Sequence, residues 1–139
     1  MRTSSGFQAI QENQQAEHVY KISQDMYRKF LSAFEDANPI HVDEAHARAL
    51  GFQGAVMHAG ILHGLISHFI GVRFPGQNAL LQSVSIQYKS PAYLGDEIRI
   101  QATVLQKSES VRTLVMGLTM MNLTRNQIAA AAKVQVGVL

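Results

Sequence analysis

The chain has 139 residues, 47% hydrophobic and 16% charged, with a formal net charge of +2 and no cysteine. That length supports one domain with one core, and the lack of cysteine excludes disulfides, thiolate nucleophiles and cysteine-ligated metals. The twelve lysines and arginines stand singly, without the stripe of a nucleic-acid footprint. No run approaches the ~18 apolar residues of a membrane span, and the N-terminus lacks the apolar centre of a secretory signal, so the expectation is a cytoplasmic protein with no membrane insertion. So few charges on so apolar a chain predict that part of the surface is covered by another copy: a homodimer, or a dimer or trimer of such dimers.

Residues 1–16, rich in Gln, Ser and Asn, are predicted to be a flexible polar tail, with the folded domain over 17–139. In "HVYKIS", Val19 and Lys21 alternate with Tyr20 and Ile22, the pattern of a short strand. Ser23 is placed to cap a helix, Asp25 sits in its first turn, and Met26, Phe30, Leu31 and Phe34 share a face. That helix ends by Ala37, before the proline step. A second short helix is predicted over 44–50, capped by Asp43 and stopped by Gly51. The segment "HAGILHGLISHFIG" (58–71) is apolar on nearly all sides, as expected of a central helix enclosed by other structure, with Gly60 and Gly64 allowing close approach of a neighbour. After a turn at "PGQN", four strands are predicted over 80–89, 97–106, 111–123 and 127–138. Val84, Ile86 and Tyr88 alternate in the first, Ile98, Ile100, Ala102 and Val104 in the second, and Ile128, Ala130, Ala132, Val134, Val136 and Val138 in the last. The fold class that follows is α+β: a curled antiparallel sheet wrapped around one long helix.

The stretch "DANPIH" carries the chemistry. Asp36 and His41 flank an Asn-Pro step that bends the chain, and such a bend can aim both side chains at one point; on a helix, positions five apart would lie about 140° from one another. A neutral imidazole beside a carboxylate can move a proton to or from water near neutral pH. Asp before Asn-Pro is also ordinary turn chemistry, and a lone histidine is more often structural.

"DANPIHVDEAHA", followed by "GFQGAVMHAGIL" and "LISHFIG", resembles the MaoC-like dehydratases, in particular the (R)-specific enoyl-CoA hydratases of the hot-dog fold, over about residues 17–139. The resemblance implies a hydro-lyase that adds water to trans-2-enoyl thioesters carried on coenzyme A or acyl carrier protein, with no cofactor and no metal. It implies that Asp36 and His41 hold and activate the water, that Ser67 belongs to the site, and that a backbone amide at the start of the central helix binds the thioester oxygen. The family has His-Gly there and this chain has His58-Ala59, so the amide is that of Ala59, which alanine retains. His58, Gly60 and Asn38 complete the expected substrate contacts.

A hot-dog thioesterase would draw a carboxylate from the central helix, which contains neither Asp nor Glu. A non-catalytic acyl-thioester-binding partner subunit remains an alternative. His58, His63 and His68 recur every five positions, which is not the spacing of a helical zinc site. His63 and His68 are predicted to pack or to lie at an interface, and His18 and His46 to be solvated. Met116, Met120 and Met121 are read as core or acyl-pocket residues. Arg73, Lys89, Arg99 and Arg112 are candidates for coenzyme A phosphates, or ordinary solvated charges.

Overall fold

The computed structural model describes residues 6–139. Among these, β1 (Gln15–Lys21), β2 (Ala79–Tyr88), β3 (Glu97–Ser108), β4 (Thr113–Asn122) and β5 (Gln127–Val138) form an antiparallel sheet in the order β1-β3-β4-β5-β2. Helices α1 (Gln24–Phe34), α2 (Pro39–Val42), α3 (Glu44–Ala49) and α4 (Ala59–His68) lie between β1 and β2 in the chain. The predicted α+β architecture and its order of strands are what the molecule has.

The alternation read from the sequence makes the core. Ile100, Ala102 and Val104 of β3 stand opposite Met120, Leu118 and Met116 of β4, and Val134 and Val136 of β5 face Met116 and Leu114 across the next seam. All are buried, so the two central seams present apolar cross-strand pairs on one face. Against that face α4 and the π turn after it lay Ile61, Leu62, Leu65, Ile66, Phe69 and Ile70, all buried. At roughly 1.5–3 kcal/mol for each large side chain removed from water, this stripe fixes where the N-terminus of α4 points.

Four expectations need correction. The polar tail does not extend to residue 16: Phe7 and Ile10 are in the core, and β1 starts at Gln15, pairing with Thr103. Two apolar anchors among many polar residues leave no periodicity to detect; residues 1–5 lie outside the described part. The Asn-Pro step is not only a bend: Pro39 is the first residue of a further short helix, α2, where its missing N–H costs nothing. In β5, Ile128 is 42% exposed while Ala129 and Ala130 are both buried, because a register irregularity between Met120 and Met121 reverses the alternation. Finally, α4 is not enclosed on all sides: His63, Gly64, Ser67 and His68 are exposed. These four positions recur as i, i+1, i+4 and i+5, which places two histidines, a serine and a glycine on one face of the helix.

The caps behave as read. The Ser23 hydroxyl accepts the Met26 N–H at 3.1 Å, the Asp43 carboxylate accepts that of His46 at 3.1 Å, and Gly51 takes a φ of 98° after α3.

Candidate active site

α1 stops at Glu35, which adopts a left-handed φ of 55° and turns the chain toward Asp36. Two side chains then shape the loop. Asp36 Oδ1 accepts the Asn38 backbone N–H at 3.3 Å, and Asn38 Oδ1 accepts that of Ile40 at 3.2 Å, capping α2. With α2 started by Pro39, His41 comes round so that its Nε2 lies 3.9 Å from Asp36 Oδ2. The Tyr27 hydroxyl, from α1, donates to the His41 carbonyl at 2.7 Å and holds α2 against the first helix.

The other nitrogen of His41 decides what the ring can do. Nδ1 lies 2.7 Å from the Val56 carbonyl, which can only accept, so Nδ1 carries the proton and the neutral ring offers its Nε2 lone pair toward Asp36. At 3.9 Å the pair is too far apart for a direct hydrogen bond, and one water oxygen can bond to both. The His41 side chain is 12% exposed and that of Asp36 51%, so the imidazole is set into the protein and the carboxylate stands toward solvent.

His58 is the clamp. It occupies the N-cap position of α4, is 2% exposed, and its Nε2–H donates to the Asp36 main-chain carbonyl at 2.8 Å. Its ring lies 4.0 Å from that of His41 and 4.8 Å from that of Phe30, between centroids. The bond is not local: it joins the start of α4 to the Asp36 loop 22 residues away.

Sequence reasoning missed the layer behind His41. Val56 is bonded twice to α2, its N–H donating to the Ile40 carbonyl at 2.8 Å and its carbonyl accepting from His41. Val56 also makes an isolated bridge with Tyr93. The buried Asp96 carboxylate holds the Tyr93 N–H at 2.9 Å and the Asn122 side-chain amide at 2.7 Å, and forms an ion pair with Arg125 at 2.9 Å. Arg125 lies over the Tyr93 ring and reaches Gln53. The turn "SPAYLGD" and the loop "TRNQ" read only as strand breaks, and nothing local in them announces this network.

In the first turn of α4 the Ile61 N–H donates to the His58 carbonyl at 3.0 Å, which leaves the Ala59 and Gly60 amides as the unpaired donors of the helix start, and Ala59 has no positive φ. Ala59 is exposed and borders a depression of about 260 Å³ shared with Leu62, Tyr88 and Lys89. On the other side of the dyad a depression of about 360 Å³ is lined by Tyr27, His41, Met57, Tyr93 and Arg125. Gly60 makes room for a neighbouring ring: a Cβ there would lie 2.5 Å from Phe30 Cζ. The Asn38 side-chain oxygen is likewise committed to its cap.

Ser67 is exposed and nine residues from His58, ~13 Å along the helix at 1.5 Å per residue, so one chain does not bring it to the dyad. Ser67→Ala is therefore expected to lower turnover less than tenfold, measured beside the Asp36 and His41 variants. Asp36, His41 and His58 offer ligand atoms within 4.8 Å of one another, a donor set of two imidazoles and one carboxylate with the composition to hold a metal ion. Helical spacing alone did not reveal it, because the set crosses from a loop to a helix start.

Met116 and Met120 are fully buried in the core. His18 is half-buried with its ring edge-on to Tyr20 at 4.8 Å rather than solvated, and His68 Nδ1 bonds the Tyr20 hydroxyl at 2.9 Å. Arg112 donates to the Val138 carbonyl and covers Phe7. Of the basic candidates, Lys89 borders the depression at Ala59.

Residues 6–126 match the family model described as a MaoC-like domain. The chain is 33% identical over 98 residues to an (R)-specific enoyl-CoA hydratase of Rhodospirillum rubrum, covering 70% of this chain and 68% of that protein. It is 28% identical over 109 residues to an (R)-specific enoyl-CoA hydratase of Aeromonas caviae, covering 77% and 81%. Among solved structures, an unliganded R-hydratase from Pseudomonas aeruginosa superposes with a TM-score of 0.87 at 22% identity, over 96% of this chain and 84% of that one. The (R)-hydratase from A. caviae involved in PHA biosynthesis gives 0.87 at 23% identity, over 95% and 99%. These superpositions extend the likeness in fold to nearly the whole chain, and with the family model matched from the first described residue through β4, the chain belongs to the MaoC-like domain family.

Proposed function

We propose that the protein is a hydro-lyase that adds water to trans-2-enoyl thioesters to give (R)-3-hydroxyacyl thioesters, or runs the reverse dehydration. One observation carries the reading: the Val56 carbonyl commits His41 Nδ1 as a donor, which leaves Nε2 as the base facing Asp36 Oδ2 across 3.9 Å. The two relatives named above, both (R)-specific enoyl-CoA hydratases, support the substrate class and the hand of the product.

With the thioester carbonyl oxygen on the Ala59 amide, electron density is drawn from the third carbon. Water held between Asp36 and His41 attacks that carbon, its proton passing to His41 Nε2, while the enolate oxygen is stabilised at the helix start. The proton returns to the second carbon through Asp36, so the sum is one water added and no redox change. His58 holds the Asp36 main chain still during the transfer.

The working unit we propose is a homodimer. Among the described residues the outer edge of β2 runs ten residues without a partner strand, with Leu80 51% and Tyr88 45% exposed, and the Ala59 face of α4 lies beside it. A second copy on that edge would pair its free backbone groups and close the depression at Ala59.

The test is to mix the purified protein with crotonyl-CoA and longer enoyl-CoAs and follow loss of the conjugated double bond by absorbance. Turnover supports the reading; release of free thiol would make the protein a thioesterase, and binding without turnover a partner subunit. Ala59→Gly is expected to keep kcat within about tenfold, because the donor is the main chain and not the methyl, whereas loss of an oxyanion donor costs 10²–10³. Its cost in stability should be on the order of 1 kcal/mol from helix propensity.

A further inference from the structure

The two imidazoles beside Asp36 are held in the same way. His41 Nδ1–H donates to the Val56 carbonyl at 2.7 Å, and His58 Nε2–H donates to the Asp36 carbonyl at 2.8 Å. A main-chain carbonyl can only accept, so each bond fixes a tautomer and leaves one bare nitrogen lone pair on the ring. The bare nitrogen of His41 is Nε2, facing Asp36 Oδ2. That of His58 is Nδ1, which is buried and has no hydrogen-bond partner among the described residues. Water held between Asp36 and His41 engages the first of these lone pairs during hydration; nothing in that reaction uses the second.

An imidazole whose N–H is fixed by a backbone carbonyl, with its other nitrogen bare, is the usual state of a metal-ligating histidine. Asp36 adds the negative charge: its Oδ1 accepts the Asn38 N–H, which orients the carboxylate and leaves Oδ2 toward His41. Bonds of about 2.0–2.2 Å from zinc to nitrogen and oxygen place two ligands of a tetrahedral ion about 3.4 Å apart, and no more than about 4.2 Å in any geometry. The 3.9 Å between Asp36 Oδ2 and His41 Nε2 falls inside that range. One ligand atom from each of Asp36, His41 and His58 lies within 4.8 Å of the others, so an ion need draw the set together by only about 0.6 Å. Half-exposed Asp36 gives an ion its way in and has the freedom to follow it.

We propose that Asp36, His41 and His58 form a binding site for a borderline divalent cation such as Zn²⁺, and that the bound ion inhibits the enzyme. The binding site stands on the ligand geometry; the inhibition rests on the lyase reading above. His41 Nε2 and the nitrogen that His58 leaves bare bind the ion together with Asp36 Oδ2, and water takes the fourth position. Once its lone pair is given to the ion, His41 Nε2 no longer accepts a proton from water, and hydration stops. Two imidazoles and one carboxylate suit Zn²⁺, whereas Mg²⁺ takes oxygen ligands, so the site discriminates between the two.

The experiment is calorimetric titration of ZnCl2 and MgCl2 into the untagged full chain after washing with EDTA, and into Asp36→Asn, His58→Gln and His63→Ala. His63, exposed on α4, controls for zinc held by a surface histidine. The wild type and His63→Ala are expected to take up one Zn²⁺ per chain and no Mg²⁺. Loss of an outer partner already costs about 10–100-fold in metal affinity, so Asp36→Asn and His58→Gln, each losing a ligand, should bind zinc at least about tenfold more weakly. Asp36 is half-exposed, so its variant keeps the test decisive if His58→Gln does not fold. No zinc binding by the wild type, equal binding by Asp36→Asn, or loss of binding in His63→Ala overturns the proposal. Hydration of crotonyl-CoA is followed in parallel. The washed protein is expected to be fully active, to lose turnover with one equivalent of zinc and to regain it with EDTA; activation by zinc would overturn the inhibition. Zinc bound at these residues without turnover under any condition sinks the lyase reading and leaves the site standing, whereas turnover in a protein that binds no zinc does the reverse.

Discussion

Replacing His41 by alanine is expected to lower kcat for enoyl-CoA hydration by about 10²–10⁴-fold, the usual contribution of a positioned proton-transfer group. Asp36→Asn should fall in the same range with KM little changed, because the amide retains the shape and the oxygen that accepts the Asn38 N–H but loses the negative charge facing His41 Nε2. The two losses should not add in the double variant, since both residues act on one water. His41→Ala also removes the bond to Val56, so a thermal melt must show the fold intact before the loss is read as chemistry. Either single variant retaining more than a tenth of wild-type kcat would mean that the proton moves by another route.

The second large effect is on stability. Asp96 is 1% exposed and holds three donors: the Tyr93 amide, the Asn122 side chain and Arg125. Asp96→Ala strands them together, and breaking a buried pair from one side costs about 3–5 kcal/mol. Arg125 is one-quarter exposed and can turn to water, whereas Asn122 is fully buried and cannot, so the lower end, ~3 kcal/mol, is expected. For a chain of this size that is a fall in Tm of about 10 °C, read by calorimetry or circular dichroism. A fall of under 3 °C would mean that water replaces the carboxylate. The same change should reduce kcat at temperatures where the protein is folded, because Tyr93 bridges Val56, whose carbonyl sets the His41 tautomer.

Much of the domain was legible along the chain because its determinants are local. Alternation in β3 and β4, the caps at Ser23 and Asp43 and the stop at Gly51 each depend on residues a few positions apart, and each forms as its spacing suggests. For Asp36 and His41 the sequence showed a bend at Asn38-Pro39 that permits them to meet, but not that the bend continues into a one-turn helix capped by Asn38.

Contacts between distant segments left no such trace. His58 holds the Asp36 carbonyl, Val56 fixes His41, and Asp96 reaches Arg125, each across stretches whose own residues do not encode a partner. The burial of Phe7 and Ile10 under a polar N-terminal segment and the open side of α4 likewise depend on how elements pack. Periodicity tells which face of an element is apolar. Whether that face meets a side chain, a cavity or a second copy is decided by volumes and hydrogen bonds brought together only when the sheet closes around α4.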